Sequence, residues 1–456
     1  MKIIDSISSA VFGAPTLLLL VFSGIFFCVK TRFFVFRHAG MIIRKTFCSL
    51  FRSDSRRSCG ERISKLQSML TALAATIGTG SMTGVASAIA IGGRGAVFWM
   101  WISALVGMST AYAEGVLSVK YREKSGGSAM CYIKQGLKSR GAAFVYAALS
   151  VGAAFGMGDI VQTSSISAAA RQTFGIPPVY IAAALALVIA AVSMGGLKRT
   201  AYAAQAIVPF MGIVYIAGCF AVLILFRENI IPTLGDIFKS AFGIRQAAGG
   251  AVGSAISAGF RRGVFSNEAG LGTTAAVHAC SQTDEPAEQG MWNIFEVFID
   301  TVLICTLTAL AITVSGADKV FTGEQQMISE AFSSALGGAG KYFCSASVIL
   351  FAFSTVIGWS VIGERAFSYI FPRLPRCVYC ALFTVFGAVG CLITSETAFA
   401  VSDIFNGLMA YPNLAALFML SGEVRRETEG YIISKRVRGG SHGSRRSRKR
   451  AVPQCE

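Results

Sequence analysis

Two short stretches of this 456-residue chain place glycine beside hydroxyl and amide side chains inside otherwise apolar runs. The first is Gly78-Thr79-Gly80-Ser81, followed by Thr83 and Gly84. The second runs from Gly259 through Gly263, Phe265, Ser266, Asn267, Glu268 and Gly270 to Gly272. Glycine in a helix interior costs about 1 kcal/mol relative to alanine, so such clusters mark places where a helix is interrupted. The chemistry offered there is that of bare backbone: N–H groups at a half-helix N-terminus favour a carboxylate, and freed carbonyls favour a cation. Close helix packing through small residues produces the same composition, and one cluster alone leaves the two readings even.

Five carboxylates share these apolar surroundings: Glu114, Asp159, Glu268, Glu296 and Asp300. In hydrocarbon each must face protein or water, which makes each a functional candidate. Glu114 and Asp300 read more readily as structural hydrogen-bond or ion-pair partners. Glu268 is expected to pair with Arg261 or Arg262 as part of the break or a gate. Asp159 stands evenly between a ligand and a polar group of the core.

The elements that carry these residues follow from composition. The chain is 54% apolar and 14% charged, against about 45–50% and about 25% in soluble domains. A set of soluble domains and a disordered chain are both excluded. Charge-free stretches cover Leu66–Gly93, Gln172–Leu197, Thr200–Phe226, Tyr342–Gly363 and Cys377–Ser395, and another lies between Asp5 and Lys30. Four more hold only one or two carboxylates: 95–119, 141–170, 289–317 and 397–422. A membrane helix needs about 20 apolar residues and satisfies its own backbone hydrogen bonds. The run 246–283, broken by Arg261, Arg262 and Glu268, is counted as one crossing, with two re-entrant segments as the alternative. The expectation is an all-α, polytopic membrane protein of about 11 transmembrane helices.

The net charge of +17 fits topology. With eleven crossings and the N-terminus outside, the cytoplasmic segments are 30–65, 120–140, 198–199, 284–288, 364–376 and 425–456. They hold 31 of the 41 Lys and Arg residues, the bias of the positive-inside rule. Nucleic acid is not needed to explain the charge. The N-terminus resembles a signal sequence but has no small-residue cleavage site, so it reads as a retained helix. Residues 33–51 read as an interfacial amphipathic helix. The run Arg445-Arg446-Ser447-Arg448-Lys449-Arg450 reads as a solvated cytoplasmic tail rather than a site for RNA or anionic lipid. Cys377-x-x-Cys380 stands alone, and His38, His278 and His442 are dispersed, so neither is a metal signal. Gly337–Lys341 lacks the first glycine of a phosphate loop and has Tyr342 where Ser or Thr binds magnesium. H-E-x-x-H is absent. No enzyme is indicated.

The two glycine clusters fall in the second and seventh crossings. Each opens a set of five, the pattern of an inverted-repeat secondary transporter. The corresponding division is 1–65, 66–226 and 227–424 for the N-terminal helix and the two repeats, with a basic tail at 425–456.

Several runs resemble the alanine/glycine:cation (sodium:alanine) symporter family. They are Thr76–Gly80 with Gly84–Gly93, Ala96–Trp101 leading into Tyr112-Ala113-Glu114, and Phe265-Ser266-Asn267-Glu268-Ala269-Gly270. Phe298–Thr306, Phe351–Thr355 with Gly358-Trp359, and Asp403–Leu414 also match. The resemblance covers about residues 10–425. It implies the LeuT-type fold, a 5+5 inverted repeat with one extra N-terminal helix, and sodium-coupled or sometimes proton-coupled uptake of alanine or glycine. It also implies that the substrate meets Gly78, Thr79, Gly80 and Ser81 in one break and Phe265, Ser266 and Asn267 in the other. Gln162 would contact the substrate and Trp359 would close over its small side chain. Sodium would lie between the carbonyls of Ala74 and Ile77 and the hydroxyls of Ser354 and Thr355. Ser81, Asp159 and Ser164 depart from family asparagines, and Asp159 is a candidate, with Glu268, for coupling or gating. A sodium co-substrate, membrane lipid and the cell (inner) membrane are implied, with no cofactor, and the C-terminus is expected in the cytoplasm. The alternative function is a non-transporting amino-acid sensor on the same scaffold, or a proton-coupled symporter.

Overall fold

The computed structural model describes residue 7 and residues 11–50, 63–123, 127–242 and 251–448. Helices occupy nearly all of the described residues, and an isolated β bridge joins Ile63 and Ser281. Helix α1, Ala14–Lys30, starts with Pro15 in its first turn, where the missing N–H goes unused. The interfacial helix expected over 33–51 is divided into Phe34–Arg37, Ala39–Lys45 and Phe47–Leu50; Phe51 lies outside the described residues. Phe33 is left-handed, with φ 57°, and Phe34 turns inward to meet Tyr112, ring centroids 4.9 Å apart.

The first glycine cluster interrupts a helix as expected. Helix α2, Lys65–Thr76, opens with a reciprocal capping box between Ser64 and Gln67. It stops where Ile77 takes ψ 90° and Gly78 the extended φ −136°, ψ −147°. A single 3-10 turn, Thr79–Ser81, leads into α3, Thr83–Gly92. Helix α4 then runs from Gly95 to Lys120. Helices α5, Arg140–Phe155, and α6, Val161–Phe174, are joined by a π-helical turn at Gly156–Ile160. Next come α7, Pro178–Ser193; α8, Gly196–Leu225; and the outlying α9, Ile230–Ala241.

The second cluster ends α10, Ala251–Asn267. Glu268, Gly270 and Gly272 follow with φ of 54°, 94° and 75°, and only a short turn, Ala275–His278, regains helix. Three left-handed residues within five are what stops α10, and two of them are glycines, where that conformation carries no Cβ penalty. The chain continues through α11, Pro286–Val297; a π-helical stretch, Phe298–Cys305; α12, Thr306–Ser315; and α13, Glu324–Leu336. Helices α14, Gly340–Ile370; α15, Arg376–Gly390; α16, Ser395–Met419; and α17, Ser421–Arg448, complete it. The tail therefore begins as helix before residue 425. It buries Val424, Thr428 and Tyr431, which share one face at helical spacing.

Among the described residues, five spans are long and apolar enough to cross a membrane unaided: Gly95–Lys120, Arg140–Phe174, Gly196–Leu225, Pro286–Ser315 and Glu324–Ile370. The other apolar stretches are shorter, as in α1, α7 and α15, or bent, as at α16–α17. Helix α4 packs on α10 and α11, and α14 packs on α2, α5 and α6. Both breaks are thereby enclosed between these long helices.

Candidate functional site

The two breaks meet. Ser81 Oγ donates to Asp300 Oδ1 at 2.5 Å, and Ser266 Oγ donates to Asp300 Oδ2 at 2.7 Å. The two hydroxyl oxygens are 3.3 Å apart. Thr301 Oγ1 donates to Asp300 Oδ2 at 2.8 Å, and Thr308 Oγ1 donates to the Ser81 carbonyl at 2.9 Å. The ring of Phe265 and the Cα of Ser266 come so close to Gly80 that a Cβ there would lie 3.2–3.3 Å away. Residues nearly two hundred positions apart in sequence are thus joined through one carboxylate. Sequence reasoning places Asp300 as a structural partner and misses this bridge. The signal that could find it is the i, i+4 pairing of Glu296 and Asp300, which puts two buried carboxylates on one helix face.

Gln162 reaches the first break from α6. Its Oε1 accepts from Thr79 N at 3.3 Å and Thr79 Oγ1 at 3.1 Å, and its Nε2 donates to the Met157 carbonyl at 3.0 Å. Gln162 thus touches the unwound first break directly.

Three of the four expected cation ligands converge. Ser354 Oγ and Thr355 Oγ1 each lie 3.4 Å from the Ile77 carbonyl oxygen, and both also contact the Phe351 carbonyl. Ala74 sits within α2, one turn before Ile77. Hard oxygens with no soft atom among them suit a small hard cation. Gly78 matters here because a Cβ would come 2.2 Å from Thr355 Oγ1.

The second break is held from three sides. Glu114 Oε1 accepts from Gly270 N at 3.1 Å, Gly272 N at 2.9 Å and Asn413 Nδ2 at 2.7 Å. Glu114→Ala orphans these donors at about 1–3 kcal/mol each, whereas the carbonyl of Glu114→Gln can still accept. Thermal unfolding in detergent should show a large drop in midpoint for alanine and a small one for glutamine. Asn267 Oδ1 accepts from Ala269 N at 3.1 Å, while its buried Nδ2 has no partner among the described residues.

Glu268 does not pair with Arg261 or Arg262. Its left-handed backbone turns the side chain toward α14, where Trp359 Nε1 donates to Oε1 at 3.1 Å and Thr273 donates to Oε2. Trp359 thereby ties α14 to the break, with its side chain packed against Gly158. Arg261 pairs with Asp403 of α16. Arg262 lies over the rings of Phe265 and Phe399, at 5.8 and 5.0 Å, and those rings are themselves 5.4 Å apart. A pocket is lined by Thr83, Ser165, Gln172, Gln325, Ser395 and Phe399.

Asp159 is not brought to the breaks; it faces Gly387 of α15. At the opposite side of the breaks His278 Nε2 lies 2.7 Å from Glu296 Oε2, and Gln289 Nε2 lies 2.6 Å from His278 Nδ1. Glu114, Asp159, Glu268, Glu296 and Asp300 are all enclosed by protein, none above 1% exposure. At the rim, Arg94 binds Asp318 through Nε at 2.7 Å and Asp236 through Nη1 at 3.0 Å. The hydrogen bond with Asp318 holds the guanidinium above the usual arginine range.

Residues 1–443 match the model of the sodium:alanine symporter family. The sodium/alanine symporter AgcS of Methanococcus maripaludis is 37% identical over 444 residues, covering 94% of this chain and 97% of its own. The probable sodium/glutamine symporter GlnT of Bacillus subtilis is 33% identical, covering 92% and 88%. Among solved structures, MhsT in complex with L-phenylalanine aligns with a TM-score of 0.56 at 14% identity, over 83% of this chain and 100% of that one. That likeness shows the LeuT-type fold. The chain belongs to the sodium:alanine symporter family, which comprises transporters rather than enzymes.

Proposed function

We propose that the chain carries a small neutral amino acid, alanine or glycine, into the cell together with sodium by alternating access. The observation that carries this reading is the adjacency of two sites. The oxygens of Ile77, Ser354 and Thr355 lie next to Gly78, where the first break opens toward Ser266. A cation held there stabilises the unwound Ile77–Gly78 backbone, and that backbone with Phe265, Ser266 and Asn267 receives the amino acid. Phe265 and the small space left at Gly80 favour a short side chain. The relative named for glutamine makes substrate size the first thing to measure.

The same reading takes the chain as eleven crossings in two five-helix halves after α1. The N-terminus is outside and the C-terminus in the cytoplasm of the cell-membrane-embedded protein. The basic bias supports that orientation.

Labelled alanine, glycine and larger neutral amino acids offered to proteoliposomes should enter only with an inward sodium gradient. Equal uptake without sodium at constant pH overturns sodium coupling. Thr355→Ala removes one hydroxyl from the cation, a loss of about 1.5–3 kcal/mol. It should raise the half-saturating sodium concentration about 10–100-fold without a matching loss of protein.

A further inference from the structure

Asp159 is a buried carboxylate that the site does not use. It lies in the π-helical turn between α5 and α6 with no exposure, and neither of its oxygens meets a donor among the described residues. The turn faces two ways. Gly158 lies against Trp359, and Gln162, three residues beyond Asp159, holds Thr79. Asp159 itself is directed at Gly387 of α15, where a Cβ would come 2.6 Å from Oδ1, with Ile189 of α7 alongside.

From Asp159 a polar strip climbs the same face of α6 at i+4 and i+8. Thr163 Oγ1 donates to the Asp159 carbonyl at 3.0 Å and sits against Gly390, and Ser167 Oγ donates to the Cys391 carbonyl at 2.8 Å. Ser167 and Cys391 line an open pocket with Ser164, Arg171, Gln172 and Thr394, at the end of the molecule where α6 terminates. An orphaned carboxylate thus stands at the foot of a hydroxyl strip that begins in a pocket.

The surrounding ionisable groups do not provide a counter-charge. Helix α7 has no acidic, basic or histidine residue, and α15 presents Tyr379 and Cys380, with Cys391 just beyond it. Arg376 of α15 pairs with Glu364 of α14, and Asp403 of α16 with Arg261. Tyr146 of α5 donates to the Leu271 carbonyl, Arg140 starts that helix, and Arg171 of α6 lines the pocket. Sodium would require several further oxygens that are not assembled here. A proton needs only the carboxylate.

We propose that Asp159 is a proton-binding site distinct from the amino-acid and sodium positions. It is loaded through Ser167 and Thr163, and its state is read at the breaks through Gly158–Trp359 and Gln162–Thr79. Proton binding stands on the geometry alone; its effect on transport rests on the symport reading.

The test has two arms on purified full-length protein. In proteoliposomes under a fixed sodium gradient, alanine uptake by the wild type should change about fivefold or more with external pH. Asp159→Asn should flatten that profile, Asp159→Glu should retain it, and Thr163→Val should blunt it. In substrate-free protein, an infrared difference spectrum on a pH step should show a carboxylic-acid carbonyl band that Asp159→Asn removes. A pH profile unchanged by Asp159→Asn, or a spectrum unchanged by it, overturns the proposal. Absence of any wild-type uptake defeats the symport reading instead, and the infrared arm still decides whether Asp159 takes the proton.

Discussion

Gly78→Ala abolishes sodium-driven amino-acid uptake while the protein still folds. The backbone at Gly78 is not left-handed, its φ being −136°. The effect of the substitution is steric. The new methyl group would stand 2.2 Å from Thr355 Oγ1, 3.1 Å from Thr355 Cβ and 3.3 Å from Gln162 Oε1. Thr355 is β-branched and buried in α14, so it has few rotamers to retreat to. Either its hydroxyl leaves the Ile77 carbonyl or the first break moves away from α14, and both dismantle the proposed cation position. Uptake is expected to fall about 100-fold or more, equivalent to about 3 kcal/mol or more at the sodium step. The control is Gly84→Ala, where the nearest atom to the added carbon is 3.9 Å away and transport should persist. Uptake rates normalised to protein that elutes as a single species in gel filtration check this. Near-normal sodium-dependent flux in Gly78→Ala would remove the assignment.

The second large effect is expected at Asp300. As a carboxylate it accepts from Ser81 on one oxygen and from Ser266 and Thr301 on the other. Asp300→Asn preserves shape but turns one acceptor oxygen into a donor and removes the charge. Hydrogen bonds to a charged group contribute about 1.5–3 kcal/mol each. Losing one or two of them separates the breaks by about 10²-fold or more in site affinity. Amino-acid binding at saturating sodium, measured by calorimetry, should weaken by that factor, and Asp300→Glu should not rescue it because the longer side chain displaces both serines. Unchanged binding in Asp300→Asn would show that the bridge is scaffolding alone.

The breaks are legible in the sequence because glycine clustered with Ser, Thr and Asn is improbable inside an apolar helix. Both helices do stop there, at Ile77 and at Glu268. The pairing of Ser354 and Thr355 with Ile77 is legible only through the family resemblance, since nothing in local spacing links positions almost three hundred residues apart. The partner of Glu268 escapes sequence reasoning for a related reason. Proximity along the chain points to Arg261 and Arg262, but the left-handed turn at Glu268 reverses the side chain toward Trp359. Asp159 reads as a candidate ligand beside Gln162, yet the π-helical turn directs the two differently.

Taken alone, the sequence determined that this is a helical membrane protein with two interrupted helices. Hydrophobic length, charge bias and glycine placement are local properties, and lipid enforces them residue by residue. Which carboxylate joins the breaks, which hydroxyls face the freed carbonyl and which way Asp159 turns were decided by tertiary structure. Each depends on backbone direction at one or two residues and on helices distant in sequence, and neither quantity is encoded in a local pattern.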